Sequence, residues 1–207
     1  MDTKDTTVFN RSEVMFMTRS RKLLNCGLVA GLVVGTLSLS ARPASAQDAI
    51  TKESAAAIKA AFIADLEVMH GKFVGLAQAF PADKYTWRPM EGVRSVSEVL
   101  TLMVSEAYGF APTALGGKAG LSREEMAPLP KMTDKNQIIE QLNKSFAYAK
   151  TTLEGIDPAT LTAKRRVMGQ DRALPDITAA VGGDMHEHLG QLIAYARTNH
   201  IVPPWSK

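Results

Sequence analysis

From residue 47 onward, prolines punctuate the chain, and between them apolar side chains recur every three or four residues. Proline has no backbone N–H and its ring clashes with the preceding turn, so it sits at helix starts or in loops. The first stretch runs from about Ile50 to Phe80, with Ile58, Phe62, Leu66, Met69 and Phe73 at helical spacing, and Pro81 stops it. The second opens at Ser95, where Ser95-Val96-Ser97-Glu98 has the form of a capping box, and should end near Phe110, before Pro112. A third starts near Thr133-Asp134 and runs to about Gly155, carrying Ile138, Ile139, Leu142, Phe146 and Leu153. The fourth begins after Pro175 and reaches about Asn199, with Pro203-Pro204 closing it. No alternating strand pattern competes. Four amphipathic helices of this length predict an all-α fold, a four-helix bundle.

The first 46 residues have a different character. Arg19, Arg21 and Lys22 precede an uncharged, largely apolar run from Leu23 to Leu39, followed by Ala44-Ser45-Ala46 before Gln47. A basic segment, a hydrophobic segment and an A-x-A site describe a secretory signal peptide cleaved after Ala46. The expected organisation is thus an N-terminal extension and signal over residues 1–46, and a helical domain over 47–207. Such a protein is exported, periplasmic or extracellular, with no membrane attachment once the signal is removed. An uncleaved anchor is the alternative, since the apolar run is near the lower limit for a membrane span. Cys26 is the only cysteine and lies in the segment to be removed, so the domain has no disulfide, thiol nucleophile or thiolate ligand.

Of the 24 basic and 21 acidic residues, six and three lie in residues 1–46, so the domain carries 18 of each and no net formal charge. A nucleic-acid partner normally calls for a basic surplus, which is missing here. The run Lys164-Arg165-Arg166 reads as a solvated loop. The sequence has no G-x-S-x-G elbow, no phosphate-binding G-x-x-x-x-G-K-[ST] loop and no G-x-G-x-x-G turn.

Chemistry concentrates in GGDMHEHLGQ, residues 182–191. At about 100° per residue, Asp184, His188, Gln191 and Tyr195 fall on one helix stripe at the edge of the buried face. His186 lies about 200° from His188, so His186-Glu187-His188 is not a chelating pair and His186 is a surface residue. Asp184 and His188, four apart, can hold one ion from adjacent turns. A neighbour must complete such a site. On the second helix Glu98, Leu102 and Glu106 share a stripe flanked by Val99 and Met103. Glu98 is occupied in the cap, which leaves Glu106. His70 and His200 read as structural or exposed, and Trp87 and Trp205 as packing loops over the ends of the helices.

Two segments, TWRPMEGVRSVSEVL (86–100) and HEHLGQLIAYARTNHIVPPWS (186–206), closely resemble the DinB-like superfamily of damage-inducible, metal-dependent proteins, which is distinct from the DNA polymerase of the same name. The resemblance covers essentially all of residues 47–207. It implies up-down-down-up connectivity, frequent homodimers, and a divalent ion, zinc or nickel, held by three histidines. One histidine is eight residues after the arginine of the R-S motif, and the other two form an H-x-x-x-H pair ending just before G-Q. Relatives include transferases and isomerases of low-molecular-weight thiols. The last histidine corresponds to His188. The first of the pair falls on Asp184, and the second-helix position falls on Leu102, which cannot coordinate, so Glu106, one turn along, is the candidate third ligand.

Two functions follow. One is a bundle with a degenerate metal site that binds a small-molecule ligand or self-associates. The other is a divalent-metal-dependent hydrolase or group transferase with His188, Asp184 and Glu106 as ligands and zinc, nickel, manganese or iron as the ion.

Overall fold

The computed structural model describes residues 49–206, so the expected signal peptide, Cys26 and the cleavage site after Ala46 lie outside the described residues. The described part is helical apart from one short hairpin, in agreement with the all-α expectation. Helix α1, Lys52–Ala79, is opened by Thr51, whose hydroxyl accepts from the Ser54 amide while Ser54 answers at the Thr51 N–H. Helix α2, Val96–Ser105, starts with the expected capping box, Ser95 and Glu98 each accepting from the other's backbone N–H. A π-helical turn, Glu106–Phe110, leads directly into the short helix α3, Ala111–Ala114. After another short helix, α4 (Arg123–Met126), comes α5, Lys135–Glu154, capped by Asp134. The last helix, α6, is Leu174–Thr198.

Three sequence expectations need correction. The second helical stretch does not end before Pro112. The π turn bonds the Ala111 N–H to the Glu106 carbonyl, so the helical run continues through Pro112, and the Tyr108 carbonyl four residues before the proline is taken by the Gly120 N–H at 2.7 Å. Pro175 lies inside the first turn of α6, where a missing N–H breaks no hydrogen bond. Third, Arg165 and Arg166 are not in a solvated loop: β1 (Arg165–Val167) pairs antiparallel with β2 (Gln170–Arg172). Met168 and Gly169, with φ of 50° and 76°, make the two-residue turn that suits the twist of a hairpin. Strands of three residues are too short to show alternation in sequence.

Helix α1 packs along α5 and α6, and α2 packs against the same two helices. Phe73 and Leu76 from α1, Leu100 and Met103 from α2, Leu142 from α5 and Met185 and Leu192 from α6 are shut off from solvent. Burying each such side chain stabilises by roughly 1.5–3 kcal/mol. The loop between α1 and α2 is tied down from both sides. The buried Tyr85 hydroxyl donates to the Ala77 carbonyl at 2.7 Å, and Trp87 lies edge-on to Tyr195 at 5.4 Å between ring centroids. Trp205 is more exposed, with Lys72 Nζ 5.7 Å from its ring. Among the described residues no helix is long and apolar enough to cross a membrane.

The α2 cap can be tested alone. Ser95→Ala removes the acceptor of the Glu98 N–H, and chemical denaturation should show a loss of about 1 kcal/mol.

Candidate metal centre

An extra residue in one helical turn re-phases everything after it, and π turns of this kind recur at functional sites. Here the widening begins at Glu106. Before it, α2 buries Val99, Leu100 and Met103; within it, Glu106, Ala107 and Tyr108 are all buried in succession. A carboxylate is thereby carried into the interior, with Glu106 only 8% exposed and its Oε2 atom buried without a hydrogen-bond partner. Leu102, one turn earlier, is half-buried and lines a cavity.

The facing groups come from α6. Asp184 and His188 are both half-buried, four residues apart on one face, as their spacing predicted. One ligand atom each from Glu106, Asp184 and His188 lies within 4.8 Å of the other two. No other group of three or more histidine, cysteine or acidic residues meets that geometry among the described residues.

His188 is oriented by the rest of its stripe. The Tyr195 hydroxyl has a single proton, given to the Arg94 carbonyl at 3.0 Å, which can only accept. From Gln191 it must therefore accept, and Gln191 Nε2 donates to it at 2.8 Å. That turns Gln191 Oε1 toward His188 Nδ1 at 3.1 Å, so Nδ1 carries the ring proton. In the neutral ring Nε2 is then left with the lone pair that a metal requires. Asp184 and His188 do not pair with each other; a relay of three hydrogen bonds fixes the imidazole instead.

Burial first, and then the neighbouring Asp184 carboxylate, raise the Glu106 pKa to about 8. Arg94 pulls the other way. The metal-free site therefore holds a proton on Glu106 at neutral pH. Two carboxylates and one imidazole suit a borderline or hard divalent ion, and the unpartnered Oε2 offers a free acceptor for it. Ligand bonds of about 2.1 Å would draw the three side chains closer than they now stand.

The remaining candidates go elsewhere. His186 is exposed, as its phase predicted, and its Nε2 meets Asp65 on α1 at 2.9 Å. His70 stacks on Phe146 and reaches Asn143 at 2.9 Å, while His200 is exposed at a positive φ of 59°. Glu98 is engaged by its cap and by Arg88 at 3.2 Å. Arg94, whose charge acts on Glu106 and whose carbonyl ends the relay, was missed in sequence. Its place directly before the Ser95 cap was the one available clue.

No protein-family model matches the chain, and no curated protein or solved structure matches it either.

The raised Glu106 pKa sets a pH dependence. Its folded value, about 8, lies above the ordinary 4.5, so the stability it contributes is complete below about 4.5 and is lost as pH rises through 8. In chelator-treated protein, Glu106→Gln should match the wild type near pH 5. By pH 9 it should be the more stable of the two, by on the order of 2–4 kcal/mol in thermal or urea unfolding. Equal pH profiles would show that Glu106 ionises without hindrance.

Proposed function

We propose that the chain is an exported, divalent-metal-dependent hydrolase or group transferase with Glu106, Asp184 and His188 as metal ligands. The single observation behind this reading is the convergence of those three side chains, with an orphaned carboxylate oxygen buried among them. On this reading the chain is a member of the DinB-like superfamily with up-down-down-up helix connectivity. Glu106 replaces the histidine expected at Leu102, and Asp184 replaces the first histidine of the pair.

The bound ion, zinc, nickel, manganese or iron, would supply Lewis-acid activation of water or another nucleophile. The protein's own groups do the rest. Glu106 and Asp184 would neutralise the ion, and Glu106 must give up its proton to do so, so affinity rises with pH across the Glu106 titration. His188 presents Nε2 in a single tautomer because Gln191 and Tyr195 hold Nδ1. Export follows from the pattern of residues 19–46.

A second reading has support from the cavity beside Leu102: a bundle that has lost its metal and binds a small ligand, or pairs with a second copy. The two readings diverge in metal content. Full-length protein purified without chelator or histidine tag should carry a near-stoichiometric divalent ion by elemental mass spectrometry. His188→Ala should lose it. Gln191→Leu, which frees the imidazole, should weaken binding about 10–100-fold. A chain that takes up no zinc, nickel or manganese on incubation would contradict the metalloenzyme reading and favour the second.

A further inference from the structure

The cavity that Leu102 lines has a volume of about 420 Å³ and begins one helical turn before Glu106. Its walls are Val93, Leu102 and Pro130 on the apolar side, with Arg88, Arg94, Glu98, Thr101 and Ser105 supplying polar groups. That size and mixture suit a small organic molecule.

The charges in the wall do not cancel. Arg88 is committed: its guanidinium donates to the Val93 carbonyl at 3.0 Å and to Glu98 Oε1 at 3.2 Å. Glu98 is held in turn by the Ser95 N–H at 2.7 Å. Arg94 is different. Among the described residues its side chain has no hydrogen bond or ion pair, while its carbonyl is clamped by Tyr195. One uncompensated positive charge, on an exposed side chain, therefore stands in the wall. It is near enough to the metal ligands for its field to be felt at the Glu106 carboxyl. The hydroxyls of Thr101 and Ser105 are turned to helix carbonyls, so neither offers its proton to a ligand.

We infer that this cavity binds a small monocarboxylate with an apolar body as substrate of the adjacent centre, its carboxylate on Arg94 and its body against Leu102, Val93 and Pro130. The reaction, though not the binding, rests on the metal reading above. A guanidinium fork matches the two oxygens of a carboxylate. The charges of the wall itself select a monoanion: Arg88 and Glu98 cancel. Arg94 alone is left to be neutralised. A phosphate monoester, with a charge of about −1.5 to −2, would exceed it.

The test is calorimetric titration of the full-length chain, zinc-loaded and chelator-treated, at low salt. The probes are phenylacetate, 3-phenylpropanoate and hexanoate, with phenylacetamide and benzyl phosphate as comparisons. At least one carboxylate should bind both forms, at least tenfold more tightly than the amide and more tightly than the phosphate. Arg94→Gln should weaken that binding at least tenfold with zinc content unchanged, and Arg94→Lys should restore part of it. Binding of none of the three carboxylates, equal binding of acid and amide, tighter binding of the phosphate, or indifference to Arg94→Gln would each overturn the inference while leaving the metal reading standing. Arg94-dependent carboxylate binding by a chain that takes up no zinc would support the pocket and overturn the metal reading.

Discussion

A carboxylate inside a helical core is the constraint on which the site depends. Glu106 has little contact with water and one oxygen without a partner, and its nearest charged neighbour is a second carboxylate, Asp184. Two like charges in that position repel, and burial penalises an ionised Glu106. A proton relieves the conflict in one way and a cation in another. The same residues that make the empty site unfavourable at high pH are those that a divalent ion would neutralise. Only the apolar framework of α1, α2, α5 and α6 can hold such an arrangement in place, because the site itself opposes folding once Glu106 ionises.

The framework also organises what surrounds the carboxylates. The relay from His188 through Gln191 and Tyr195 ends at the backbone of Arg94, directly before the cap of α2. One string of hydrogen bonds thus joins the last helix to the start of the second. It fixes the tautomer of His188 at one end and the Arg94 carbonyl at the other. Trp87 stands edge-on to the Tyr195 ring in the middle of the relay. His188 on the last helix is thereby tied to the segment that carries Arg94 in the cavity wall.

Much of this was legible in the sequence where a rule of spacing applied. The Ser95 cap, the Asp134 start of α5, the shared face of Asp184 and His188 and the outward phase of His186 all follow from helical geometry. The π turn did not, since nothing in Glu106-Ala107-Tyr108-Gly109-Phe110 distinguishes a turn of five residues from one of four. Pro112 was misread for that reason, as a stop and not as the first turn of a new segment. The hairpin was missed because its strands are too short to alternate, and the direction of the relay because it rests on the single proton of Tyr195 and the fixed polarity of a backbone carbonyl. Arg94 has no meaning as a linear neighbour of Ser95 until α6 is laid beside it.

The most direct measurement is anomalous diffraction at the zinc edge from crystals of the protein equilibrated with zinc. One strong peak between the Glu106 carboxylate, Asp184 and His188 Nε2 is predicted, with Gln191 still accepting from His188 Nδ1. A peak at the exposed Asp65–His186 pair alone, or no ordered peak with Glu106 still protonated against Asp184, would contradict a metal centre built on the π turn.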